Sequence, residues 1–255
     1  VLGQVLEVAI APLLVGVASL VAVRFGPRAG GLVSAFPAIV GPFLLLSVDR
    51  HGAAFAADAA DGTLLGLVPF AGFVVAYAWM ATVSGWAASL LVAWGVAAGL
   101  TAAVSPVQIS SAWSLVVGVA ALVLAHRLLP APLVRGAEPV PPWWDIPLRM
   151  VLCAALVVAL SVASDRFGSG VGGLLAALPV LASILAVFTH RDDGPSAAVA
   201  LLRGMLEGMA AFVAFCTVIG MAIEPWATAW AFAAAIAAAI VADVVASRLT
   251  RSASL

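Results

Sequence analysis

The sequence predicts an all-α, polytopic membrane protein of about nine transmembrane helices, built as two inverted-topology four-helix repeats joined by a linking helix. Three observations predict it. First, 65% of the 255 residues are hydrophobic, mean hydropathy is +1.21 and only 9% are charged. A soluble domain carries roughly 25% charged residues, so this chain cannot cover itself with polar surface. Second, apolar runs of about 20 residues, the length that crosses a bilayer core as helix, recur along it. Third, "RFGPRAGGLVSAFP" at 24–37 returns as "RFGSGVGGLLAALP" at 166–179.

In chain order the expected spans are 2–23, 31–48, 57–81, 86–104, 111–129, 148–164, 172–189, 200–223 and 227–247. The first opens "VLGQVLEVAIAPLLVGVASL", without a basic n-region or small-residue cleavage site, and reads as a spanning helix, not a cleaved signal. The second is short and holds Pro37 and the Gly41–Pro42 pair. The third opens on Asp58 and Asp61, suited to a wet first turn. The fourth follows closely, and the fifth is the link. After it comes "HRLLPAPLVRGAEPVPPWWD", proline-rich with charge and tryptophan. The other connections are short, so function has to sit within the membrane or at its surfaces. The sixth to ninth spans then restate the first four.

The arginines test this count. Arg24, Arg28, Arg127, Arg135, Arg149, Arg191, Arg203, Arg248 and Arg251 fall on one side of a nine-span chain, and Arg50 and Arg166 on the other. Positive charge gathers on the cytoplasmic side, which places the N-terminus outside and the C-terminus in the cytoplasm. All tryptophans but Trp94 fall near expected span ends, where an aromatic belt belongs.

Shifting the sequence by 142 residues aligns 24–77 with 166–219 without a gap. The matches include Arg24/Arg166, Gly30/Gly172, Gly31/Gly173, Pro37/Pro179, Gly52/Gly194, Gly62/Gly204, Gly66/Gly208 and Phe73/Phe215. Compositional bias matches alanines by chance, not glycines, a proline, phenylalanines and an arginine in register. Five spans separate equivalent points, and an odd number inverts the second copy. The expected organisation is 1–104 as the first repeat, 105–147 as linking helix and cytoplasmic loop, and 148–255 as the second repeat.

Inverted repeats are the architecture of many secondary transporters, and short Gly/Pro-interrupted segments at matching positions mark their binding sites. Pro37 and Pro179 cannot donate to the helical ladder and free the carbonyls of Val33 and Leu175. The helices are expected to restart near these prolines. The expected substrate-binding set is Gly30, Gly31, Ser34 and Pro37 with Gly172, Gly173, Pro179 and Ser183. Helix N-termini at a cavity favour an anionic or zwitterionic solute. The rival reading is that the glycines only let helices pack closely.

An ionisable residue inside a span is a functional candidate by default. Glu207, four residues after Arg203, leads a coupling set with Arg203, Asp61 and Asp58; as a local pair, Arg203 and Glu207 share one helix face. Asp61 and Arg203 are equivalent in the repeat and, being inverted, should not pair. His51, His126 and His190 are scattered without ligand spacing, and Cys153 and Cys216 read as packing residues, so no metal or other cofactor is expected. No lysine occurs, which excludes a Schiff base and a P-loop. The net charge of −1 argues against nucleic acid. No nucleophile and base converge, so no enzyme is expected.

The run "GGLLAALPVLASILAVF", followed by a short polar turn and a third helix, resembles a family of uncharacterised four-helix bacterial inner-membrane proteins, here as two units fused through a linking helix. More loosely, paired Gly-rich segments followed by proline are similar to the sulfite and organosulfonate exporter family. The resemblance implies a bacterial inner membrane. Together these readings predict a secondary transporter or exporter of a small solute, with the lipid bilayer and that solute as partners and a homodimer or membrane partner subunit compatible with it. The alternatives are a passive channel or lipid translocator, or an accessory subunit of a larger complex.

Overall fold

Glycines at positive φ, two of them followed directly by proline, mark three of the helix ends. The computed structural model describes residues 2–37, 40–107, 110–131, 144–176 and 179–252, which form eleven helices and no strand. α1 (Leu2–Phe25) ends at Gly26, which takes φ 92°. Pro27 bars its predecessor from helical backbone and lacks an N–H, so the chain turns there and Pro27 opens α2 (Pro27–Ser34). α3 (Val40–His51) and α4 (Ala53–Leu65) meet at Gly52, φ 90°. α5 (Leu67–Ala81) continues from α4 across Gly66, where Pro69 cannot donate to the Leu65 carbonyl. α6 (Trp86–Val104) and α7 (Ser111–Leu128) follow.

α8 (Asp145–Ala176) is unbroken for 32 residues. This corrects the expected turn at 165–171: the second phrase carries Ser169 where the first carries Pro27, and glycine alone does not end the helix. α9 (Val180–Asp193) begins directly after Pro179, α10 (Pro195–Ala222) follows Gly194 at φ 87°, and α11 (Thr228–Ser252) closes the described chain. The expected second span is likewise two pieces, α2 and α3. Among the described residues, four helical segments are long and apolar enough to cross a membrane: Ala53–Ala81, Trp86–Val104, Pro195–Ala222 and Thr228–Ala246. Ile10–Phe25 and Ala112–Leu128 are shorter apolar helices.

Element ends recur at the 142-residue offset. α2 and α8 end at Ser34 and Ala176, α3 and α9 at His51 and Asp193, and α6 and α11 begin at Trp86 and Thr228. The packing stripes recur too. Ser89, Ala93 and Ala97 on α6, and Ala231, Ala235 and Ala239 on α11, are fully buried, and these helices pack on α5 and α10 respectively. Small residues one turn apart let backbones approach where water drives nothing.

α10 is the central helix, in contact with α2, α4, α5, α7, α9 and α11. Asp61 of α4 lies against Gly220 near its far end, whereas Tyr77 of α5 meets His190 of α9, just ahead of its start. The α4–α5 pair therefore runs antiparallel to α10.

Candidate functional site

α2 is wedged between α1 and α10 by its glycine pair. A methyl group on Gly30 would lie 2.7 Å from the Ala18 carbonyl oxygen of α1, and one on Gly31 would strike the Leu201 carbonyl of α10. From the other side, a methyl on Gly204 would strike the Arg28 carbonyl, and one on Gly208 would lie 2.5 Å from that of Leu32. Arg28 faces Gly204 and Leu32 faces Gly208, so α2 runs parallel to α10 and the two backbones touch over two turns.

This close approach delivers a charge. Arg28, at the second position of α2, donates from Nε and Nη2 to Glu207 Oε2 and Oε1 at 2.8 and 2.6 Å. The side chain of Glu207 is only 5% exposed and that of Arg28 43%. A planar guanidinium and a carboxylate in this fork arrangement make the strongest pairing side chains offer. Glu207 thus has its bidentate partner on another element, 179 residues away in sequence. Arg203 donates instead to the Pro130 carbonyl at 3.1 Å, and its Nε is buried with no hydrogen-bond partner. The signal for Arg28 was in the sequence, a cation two residues ahead of the glycine pair, but its place in a phrase that reads as a connection hid it.

The remaining expected site residues separate into two groups. Ser34 is buried and donates to the Gly31 carbonyl at 2.7 Å, an internal bond of α2. With Pro37 unable to donate, the Val33 carbonyl accepts from Phe36 N at 3.2 Å, and the Pro37 carbonyl accepts the first bond of the next helix, from Gly41 N at 3.0 Å. Pro179 does the same for Ser183 N at 2.8 Å. The Ser183 hydroxyl donates to the Pro179 carbonyl and accepts from the Trp94 indole at 2.9 Å. That bond accounts for the one tryptophan placed away from a span end. Ser183 lines a cleft of about 460 Å³ between α6, α8 and α9, with Arg191 also lining it. Gly172 and Gly173 are helical, in the last turns of α8, and their surroundings lie outside the described residues. Asp58 is exposed, and Asp61 sits near the opposite end of α10 from Arg203.

A groove of about 510 Å³ opens beside Glu207, between α7, α10 and α11, with His126 and Arg127 also lining it. Among the described residues no three His, Cys, Asp or Glu side chains gather to hold a metal. Both cysteines are free and buried. In comparisons with known protein families, characterised proteins and solved structures, the chain matches none.

Proposed function

We propose that this protein is an integral membrane secondary transporter or exporter of a small anionic or zwitterionic solute, working through the crossing of α2 and α10. The observation that carries the reading is the Arg28–Glu207 pair, built between an interrupted helix and a carboxylate inside an apolar span. Removing two charges from water costs several kcal/mol per ion, so such a pair is poor evidence of stabilisation and marks a functional site by default. Arg28 is half open while Glu207 is enclosed, so an anion from outside the crossing can reach the guanidinium. A proton on Glu207 cancels its charge and releases Arg28 to that anion; loss of the proton restores the pair and expels the anion. Proton and solute are thereby coupled at one site.

The proposed frame is two inverted repeats rocking about α10 in a bacterial inner membrane, with the N-terminus outside. It is supported by the recurring element ends, by the matched alanine stripes on α6 and α11, and by the antiparallel run of α4–α5 on α10. The test is flux in proteoliposomes with candidate organic anions under an imposed pH gradient. Saturation, counterflow and acceleration by the gradient are expected, and Glu207→Gln should keep solute exchange but lose the response to pH. Flux without saturation or counterflow would indicate a channel. A chain that moves nothing alone and co-purifies with a stoichiometric partner would be an accessory subunit.

A further inference from the structure

The groove between α7, α10 and α11 has two unlike ends. At one, His126, Arg127 and Glu207 line it. Arg203 precedes Glu207 by one turn on the same face of α10, and Arg28 reaches Glu207 from α2. Arg28 answers Glu207, which leaves Arg127 in the lining and Arg203 one turn away on α10 as two further guanidinium groups at this end, and Arg203 keeps a buried Nε without a partner. A buried charged donor left unmet asks for an acceptor. From this end the groove runs along Leu122 and Val119 on one wall and Ala210 and Val213 on the other. The seven helical steps from His126 back to Val119 span about 10 Å, room for a stretch of hydrocarbon chain. Val119 and Val123 are 39% and 49% exposed, so the groove is open sideways to whatever surrounds the helices.

We propose that this groove holds one anionic glycerophospholipid, its phosphate against Arg127 and Arg203 and an acyl chain along the seam of α7 and α10. Charge complementarity selects this occupant. A neutral lipid fills the apolar length but leaves the guanidinium excess unanswered, a free inorganic anion does the reverse, and a packed apolar helix would bury the arginines unpaired. Basic pockets between spanning helices at the membrane surface take lipid headgroups for the same reason. The site shares Glu207 with the proposed solute crossing, but its lining comes from α7, α10 and α11 and includes no residue of α2.

The test uses the full chain in neutral detergent, titrated with dioleoyl phosphatidylglycerol, dioleoyl phosphatidylcholine or glycerol 3-phosphate, with lipid retention read by native mass spectrometry. Phosphatidylglycerol should be retained in preference to phosphatidylcholine. Arg127→Gln, an exposed position where folding is safe, should cut that preference about fivefold, and Arg127→Gln with Arg203→Gln by a further factor of about five. Val123→Trp, filling the groove from its exposed wall, should release both lipids with the melting temperature unchanged. Equal retention of the two lipids by the wild type, a preference that survives the double variant, or displacement of phosphatidylglycerol by equimolar glycerol 3-phosphate would each overturn the proposal.

Discussion

Residues 24–37 and 166–179 share a phrase yet differ in shape. In the first, α1 stops at Gly26 and α2 turns off to wedge against α10; in the second, α8 runs straight through Gly168 to Ala176. Both have the glycines, but only the first has proline at the next position. A second contrast repeats the lesson. Pro69 leaves one irregular residue, Gly66, where α4 runs on into α5, whereas Ala211 stands at the equivalent place in α10, which is regular from Pro195 to Ala222. Glycine permits a break, and at Gly26–Pro27 and Gly194–Pro195 the proline that follows fixes one, whereas Pro12 is carried inside α1. The consequence reaches the site, because only a segment freed from its predecessor can carry Arg28 to Glu207.

The strongest way to break this comparison is to place the same bulk at equivalent glycines. Gly204 is pressed against the Arg28 backbone, while Gly62, its counterpart on α4, has nothing within 4 Å. Gly204→Leu should destabilise by about 3 kcal/mol, the upper range for overpacking, because the opposing atom is backbone and cannot yield. Gly62→Leu should be nearly silent. SDS-titration unfolding reads both, and equal losses would show that the two faces are packed alike.

A somewhat smaller effect should follow from moving the proline. Ser169→Pro should break α8 at Gly168 at a cost below the ~3 kcal/mol of a helix interior, since only two turns lie beyond it. Spin labels at Ala155 and Leu175 should then move closer together and spread in distance. An unchanged distance would mean that packing, not proline, sets the break.

The smallest effect belongs to the α8–α9 pair alone. Asp145, Arg149 and Asp192 tie the start of α8 to the end of α9, with Arg149 donating to both carboxylates at 2.7 and 3.2 Å. Burial, with Asp145 beside it, holds the Asp192 carboxyl above its ordinary range, though Arg149 and Arg191 pull it down. The folded chain therefore holds this proton more tightly than the unfolded one. Stability from this group is greatest at low pH and declines as pH rises from about 4, the unfolded carboxylate value, through the raised folded one. Asp192→Asn should flatten that decline by less than about 1 kcal/mol, the scale of a partly exposed pair. Unfolding of both proteins across pH 4 to 7 measures it; parallel curves would contradict it. The residue 142 positions earlier is Arg50, which supplies no such carboxylate.

Much of the architecture was legible in the sequence because it depends on local chemistry. Apolar runs marked the helices, and Pro37 and Pro179 marked where α3 and α9 begin. Glu207 stood out as a charge within an apolar run. The continuity of α8 was missed because weight was given to the shared glycines and not to the unshared proline. The Arg28–Glu207 pair was missed for a different reason: it joins positions that the 142-residue offset does not relate, and Arg203, on the same helix, offered a nearer partner. Tertiary crossings of that kind leave no periodic trace.

Gly52 and Gly194 each turn the chain with a single residue, and in each the hydrogen bonding is continuous on both sides, Gly52 N to Val48 O and Ala56 N to Gly52 O, Gly194 N to His190 O and Ala198 N to Gly194 O. A corner so short has no slack to absorb displacement. α9 is therefore joined to α10, and α3 to α4, by a single-residue corner with no connecting loop between the helices.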